Sequence, residues 1–244
     1  MATTTSTPVK VVLLDIEGTV CPISFVKDVL FPFALKVLPE TLRTQWDSPE
    51  FARYKDAFPP EYSSSRDALE AHVRDLVEKD VKVSYLKSLQ GYLWEAGYAS
   101  GDLKAPLFPD VAAKLSEWQH KGLKIMIYSS GSVAAQKLFF GHTDASPSDL
   151  TPLISDWFDT VNAGLKTDTS SYKTIASKHP EFSHGEWLFL SDNVKEVDAA
   201  IEAGMQSMVV HRPGNAPLPL EVPQRLRVIE TFDSLDGDLN IRAS

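Results

Sequence analysis

The feature that most constrains this chain is a short apolar segment that ends in two acidic residues. Residues 9–14 form a β-branched and aliphatic run, typical of a strand that is covered on both faces. Asp15 and Glu17 follow at once, ahead of Gly18 and Thr19. Because ligands of parallel sheets bind outside the carboxyl ends of the strands, we expect the two carboxylates to lie in a site. Taken alone, the pair is also compatible with a capped turn and a solvated Glu17.

Strand and helix signals alternate in the second half of the chain. Apolar segments typical of strands cover residues 123–128, 157–161, 187–190 and 205–210. Apolar residues at helical spacing occupy residues 111–122, 133–140, 170–178 and 194–203. This alternation predicts an α/β fold with a doubly wound parallel sheet. The segment 228–235 should pack on the edge of that sheet.

The stretch between the first strand and this region has helix signals and no strand signals. A helix should begin with Ser24 as its N-cap and be bent or interrupted at Pro32. A later helix should close near Gly97. We therefore predict a core domain of residues 1–21 and 106–244, with an α-helical cap domain of residues 22–105 inserted in it.

The composition excludes several classes of function. The net charge of −9 argues against a broad nucleic-acid surface and against binding to an anionic membrane. Cys21 is the only cysteine, which excludes an internal disulfide and a multi-cysteine zinc site. We expect residues 1–8 to be a disordered tail rather than a signal peptide, and we find no membrane-spanning run. A monomer in the cytoplasm is the simplest expectation, and nuclear residence is compatible with this size.

Three polar clusters occupy the same kind of position, the carboxyl end of a predicted strand. These are Asp15 with Glu17, Ser129 with Ser130, and Asp192. If the strands are parallel neighbours, the clusters converge on one crevice with carboxylates for a divalent cation and a helix start that favours anions. Mg²⁺ prefers a few oxygen ligands that water and substrate complete. The combination predicts a phosphate-binding site, although the serines alone are also typical of N-caps.

Four segments resemble the motifs of the haloacid dehalogenase (HAD) superfamily of phosphatases: Asp15-Ile-Glu-Gly-Thr19, Tyr128-Ser-Ser-Gly-Ser132, Lys166 and Ser191-Asp192. The helical insert stands where that superfamily has its cap. Glu17, where most relatives have aspartate, is similar to the acireductone synthase (enolase-phosphatase) family of methionine salvage. The blocks 22–32, 129–138 and 212–216 are also similar to that family.

The resemblance implies an enzyme that enolises 2,3-diketo-5-methylthiopentyl-1-phosphate and then removes its phosphate. Asp15 would be the nucleophile that forms an aspartyl-phosphate, and Glu17 the general acid and base. One Mg²⁺ per subunit would be held by Asp15, Asp192 and the backbone carbonyl of Glu17. The phosphoryl oxygens would be bound by Ser129, Ser130 and Lys166.

Some assignments stay open at this point. Glu196 is either a group that orients metal-bound water or a solvated helix carboxylate, and Lys173 is a rival for Lys166. Glu17 is the economical hypothesis for the enolising base. A phosphatase for another small ester, a phospho-accepting signalling domain and an inactive binding protein are the alternative functions, although the long insert after Asp15 argues against the signalling domain.

Overall fold

The structure, a computed structural model, describes residues 7–235, and the chain divides into two units. The first unit contains the residues up to 23 and from 105 onward, and the second contains residues 24–104. Most of the expected N-terminal tail, residues 1–6, lies outside the described residues. That the second unit serves as a cap stays a prediction.

The first unit is built on a six-stranded parallel sheet with the order β3-β2-β1-β4-β5-β6. The strands are β1 (Val11–Leu14), β2 (Lys124–Tyr128), β3 (Asp156–Phe158), β4 (Trp187–Ser191), β5 (Gln206–Val210) and β6 (Val228–Ile229). The predicted doubly wound parallel sheet is therefore confirmed. The segment 228–235, which is expected to pack on the edge of the sheet, supplies the edge strand itself, because β6 pairs with β5.

The central position of β1 determines where the site lies. β1 is fully buried and pairs on one side with β2 and on the other with β4. Leu14, its last residue, is in register with both Ile127 and Leu190. The loops after these three strands consequently begin at the same edge of the sheet.

The second unit is helical, and no strand occurs among its residues 24–104. A π-helical segment, Val26–Leu30, leads into α1 (Phe31–Gln45). The other helices are α2 (Pro49–Lys55), α3 (Pro60–Ser63), α4 (Arg66–Glu78) and α5 (Ser84–Ser100).

Two details at the start of the second unit differ from the expectations. Ser24 is not an N-cap, because it already lies within the helix that leads into the π-helical segment. The helix continues through Pro32. This residue has no N–H to donate, and it directly follows a π-helical turn in which Phe31 N donates to Val26 O.

Helix α5 does not close near Gly97 but ends at Ser100, where Gly101 has the positive φ of 80° that suits a helix terminus. Gly97 serves packing instead. A Cβ there would lie 2.4 Å from Cζ of Phe33. The glycine that predicts a helix end therefore permits a close contact between helices instead.

The helices of the first unit cover the sheet. They are α6 (Val111–His120), α7 (Val133–Gly141), α8 (Thr169–Ser177), α9 (Val194–Glu202) and the short α10 (Val222–Arg225), with 3₁₀ turns at Thr151–Leu153, His184–Glu186 and Phe232–Leu235. Val11 and Leu13 pack in one buried cluster with residues of α8 and α9. Cys21 is buried and forms no disulfide. Across residues 7–235, no helix has the length and apolar character needed to cross a membrane.

Candidate active site

A cleft of about 240 Å³ lies at the carboxyl ends of β1, β2 and β4, inside the first unit. All six site residues predicted from the sequence line it, together with three residues that were not among them: Asp15, Glu17, Ser129, Ser130, Lys166 and Asp192, with Ile23, Asn193 and Glu196. The convergence expected from parallel neighbouring strands is therefore present. The chemical roles of these residues stay predictions.

Lys166 lies between two buried carboxylates. Its Nζ contacts Oδ1 of Asp15 and lies 2.7 Å from Oε2 of Glu196. Burial lowers the pKa of Lys166, but the charges of Asp15 and Glu196 outweigh this effect and raise it. Lys166 is therefore a permanent cation in the cleft.

The backbone that carries Lys166 is held by two tyrosines of the first unit's core. Tyr172 donates its hydroxyl to Lys166 O at 2.7 Å, and Tyr128 donates to Gly164 O at 2.8 Å. Burial raises the pKa of Tyr128 to about 12, so this hydroxyl keeps its proton near neutrality. Lys173, the alternative to Lys166, is exposed on α8.

Glu196 is not a solvated helix carboxylate. The residue is 8% exposed, and its carboxylate accepts a hydrogen bond from Ser191 Oγ at 2.9 Å. Burial and the nearby charge of Asp15 raise its pKa. The sequence placed Glu196 one helical turn beyond Asp192, but its contact with Lys166 depends on the packing of α9 against the loop after β3.

Asp192 lies beside the loop that follows Asp15. Burial, followed by the charges of Asp15 and Glu196, raises its pKa to about 7. Gly18, at a φ of 73°, makes the close approach possible, because a Cβ on it would lie 2.4 Å from Oδ2 of Asp192. The Asp192 N–H also donates to Thr19 Oγ1 at 3.1 Å. Two motifs far apart in sequence are thus joined.

Ser129 and Ser130, which directly follow β2, are not N-caps. Ser132 is the N-cap of α7, and its hydroxyl accepts the N–H of Ala135. Ser129 Oγ accepts the N–H of Gly131 at 3.2 Å, and Ser130 is exposed at the cleft. Because Ser132 performs the capping, Ser129 and Ser130 can serve a ligand at this helix start.

The cleft offers oxygen ligands with an excess of negative charge. Its four carboxylates face one lysine. Residues 7–235 contain no group of three or more His, Cys, Asp or Glu side chains suited to a metal ion. A hard cation such as Mg²⁺ needs fewer protein side chains, since backbone carbonyls and waters complete its shell.

The parallel sheet has the α/β fold that haloacid dehalogenase-like hydrolases share. The magnesium-bound HAD-hydrolase YfnB of Bacillus subtilis has the same fold, with a TM-score of 0.60 at 16% identity, covering 96% of this chain and 100% of that one. No protein-family model matches the sequence.

Closer relatives give the family. The chain is 67% identical over 227 residues to enolase-phosphatase E1 of Pyricularia oryzae, an alignment that covers 93% of this chain and 98% of that protein. It is 40% identical to the crystal structure of Unknown transcript 4 protein of Saccharomyces cerevisiae, with a TM-score of 0.81 and coverage of 93% and 100%. The chain belongs to the enolase-phosphatase E1 family.

Proposed function

We propose that this chain is an acireductone synthase. It converts 2,3-diketo-5-methylthiopentyl-1-phosphate to the acireductone 1,2-dihydroxy-3-keto-5-methylthiopentene and phosphate, by enolisation and then dephosphorylation. The observation that carries the proposal is the arrangement of Asp15 beside Lys166, Ser129 and Asp192 in one cleft of a chain from this family. The substrate is therefore a small-molecule phosphate ester.

In the dephosphorylation step, an oxygen of Asp15 attacks phosphorus and the ester P–O bond breaks, which leaves an aspartyl-phosphate. Glu17 gives its proton to the leaving oxygen. It then takes a proton from the water that attacks the phosphorus and regenerates Asp15. Asp15 and Glu17 both line the cleft. Because Asp15 is only 6% exposed, a phosphate ester can reach its carboxylate only from the cleft.

Binding of the phosphoryl group uses the positive and hydrogen-bonding groups of the cleft. Lys166 supplies a fixed charge to the phosphoryl oxygens, and Ser129 and Ser130 supply hydroxyls. Glu196 holds Lys166 through the 2.7 Å contact, so that the ammonium group is already placed when substrate arrives. This preorganisation favours the transition state over the ground state.

One Mg²⁺ per subunit fits the donor set of Asp15, Asp192 and the backbone carbonyl of Glu17. The crowding of carboxylates supports this assignment, because Asp192 has a raised pKa that a nearby cation would lower. When bound, the ion neutralises charge between the nucleophile and the phosphoryl group. The YfnB hydrolase, with the same fold, is magnesium-bound.

Enolisation requires a base for a C–H that the neighbouring dicarbonyl already acidifies. Glu17 is the economical choice, because it lines the cleft and already exchanges protons in the second step. If Glu17→Gln lost phosphate release but formed the enol-phosphate at the normal rate, this assignment would be wrong.

The test is turnover of the diketo phosphate with Mg²⁺, with enol formation followed by absorbance and phosphate measured in parallel. We expect both products from the wild-type chain, and loss of phosphate release in Asp15→Asn. Asp198→Asn, a change on an exposed part of α9, is the matched control. Phosphate release without acireductone would instead identify a phosphatase of different specificity, and undiminished turnover by Asp15→Asn would exclude the mechanism.

A further inference from the structure

The loop after β1, residues 16–19, is held from a segment that the reaction above does not use. We call residues 16–19 the Gly18 loop. Asn215 donates its Nδ2 to Gly18 O at 2.9 Å, and Arg212 donates its Nε to Thr19 O at 3.0 Å. Both side chains come from the stretch that follows β5. Two neighbouring carbonyls of the Gly18 loop are therefore fixed by two side chains of one segment.

Arg212 is itself rigidly held. It is 2% exposed and forms a two-pronged ion pair with Asp110, at 2.8 and 2.9 Å. Its guanidinium carbon lies 4.7 Å from the ring centroid of Phe108 and 4.6 Å from that of Phe232. A planar guanidinium fits this combination of ion pairing and stacking, which a lysine cannot reproduce. Nε is thereby aimed at Thr19 O in a fixed direction.

The position of the Gly18 loop in turn determines the position of Asp192. Thr19 Oγ1 accepts the N–H of Asp192 at 3.1 Å, and Gly18 has no Cβ where Oδ2 of Asp192 lies. A shift of either loop residue would therefore move Asp192 relative to Asp15. These are the two carboxylates that the proposed function assigns to the metal.

The amide of Asn215 is not explained by packing alone. Within residues 7–235 its Oδ1 is buried and finds no hydrogen-bond partner. Burying an unpaired carbonyl oxygen is unfavourable, and an apolar side chain of similar shape would avoid it. The Nδ2 group, by contrast, bonds to Gly18 O and also to Val210 O at 3.4 Å. The hydrogen-bond donor Nδ2 is therefore the part of the Asn215 side chain that holds the Gly18 loop.

We propose that Arg212 and Asn215 are positioning residues that fix the Gly18 loop, and thereby the separation of the Asp15 and Asp192 carboxylates. The expected effect on Mg²⁺ affinity rests on the proposed function. The effect on the Gly18 loop concerns the protein alone and can be measured without metal or substrate.

The experiment compares the full-length wild-type chain with Asn215→Ala and Arg212→Lys. Amide hydrogen exchange of the metal-free proteins reports the Gly18 loop, through the N–H groups of Gly18 and Asp192. We expect exchange of these amides to rise about tenfold in both variants. Titration with Mg²⁺ alone, followed by calorimetry, should show an affinity about 10- to 100-fold weaker than in the wild type.

Gln206→Ala is the matched control. Gln206 also donates its side-chain amide to two backbone carbonyls, Thr7 O and Gly185 O, but at the amino end of β5. It should lower the melting temperature without changing Mg²⁺ affinity or the exchange of the Gly18 loop.

Unchanged exchange and affinity in Asn215→Ala would overturn the proposal, even if Arg212→Lys does not fold. Equal effects in Gln206→Ala would overturn it as well, since they would reflect general destabilisation. If the wild-type chain binds no Mg²⁺, the metal assignment of the proposed function is wrong, and wild-type exchange rates in Asn215→Ala would then reject the positioning role separately.

Discussion

Replacing Lys166 with methionine should separate the stability of the site from its chemistry. Lys166 lies between Asp15 and Glu196, which are 6% and 8% exposed. Methionine has a similar volume and no charge. The substitution therefore leaves two buried carboxylates without their cation, while the packing of the side chain is largely kept.

The size of the effect can be worked from the geometry. Unit charges separated by the 2.7 Å between Nζ and Glu196 Oε2 attract by about 6 kcal/mol at an effective dielectric constant of 20. Desolvation of the charges offsets part of this attraction, and removing one partner of a buried pair typically costs about 3–5 kcal/mol. We expect Lys166→Met to lose this amount of unfolding free energy at pH 8.

Adding Glu196→Gln should restore most of the lost stability, because it removes one of the unpaired charges and keeps the shape. It should not restore activity, since loss of one group that stabilises the transition-state charge lowers kcat on the order of 10²- to 10³-fold.

Urea unfolding of the metal-free single and double variants, with phosphate release from the diketo phosphate, measures both quantities. Wild-type stability of Lys166→Met, or a double variant no more stable than the single one, would refute the reasoning.

The remaining predictions concern Asp192, Gly18 and Gly97. The folded pKa of Asp192 is about 7 against 3.8 unfolded, so its proton stabilises the fold below pH 3.8 and this contribution is lost as pH rises through 7. Chelator-treated protein should therefore unfold at lower urea at pH 8 than at pH 6, and Asp192→Asn should reduce the difference. Gly18→Ala, at φ 73° and against Asp192, should lower kcat on the order of a hundredfold in the phosphate assay. Gly97→Ala should lower the unfolding free energy by about 1–3 kcal/mol through overlap with Phe33, as urea unfolding would show.

The sequence was sufficient where a local pattern carries the information. Apolar runs alternating with helical spacing predicted the parallel sheet, and the acids and hydroxyls at strand ends predicted which residues line the cleft. The prediction of the cleft also uses the rule that the carboxyl ends of parallel strands meet at one edge. Short features were less reliable. The two-residue β6 has no pattern of its own, and its pairing with β5 depends on where the chain returns.

Contacts between distant segments could not be predicted. Glu196 had the right spacing from Asp192, but a pattern cannot show that its carboxylate meets Lys166, thirty positions earlier in the chain. Arg212 illustrates the same limit, since its partners come from three other segments. In the sequence Gly97 predicts a helix end, because glycine is typical there, whereas in the structure its lack of a side chain accommodates Phe33. Tertiary packing decides such cases.

The proposed mechanism depends on a covalent bond between Asp15 and phosphorus. The most direct measurement is mass spectrometry of the enzyme quenched in acid during turnover of the diketo phosphate with Mg²⁺, after borohydride reduction to trap an acyl phosphate. We expect the reduced residue to map to Asp15 and the signal to be absent in Asp15→Asn. Trapping at another carboxylate, or phosphate release by Asp15→Asn at the wild-type rate, would contradict it.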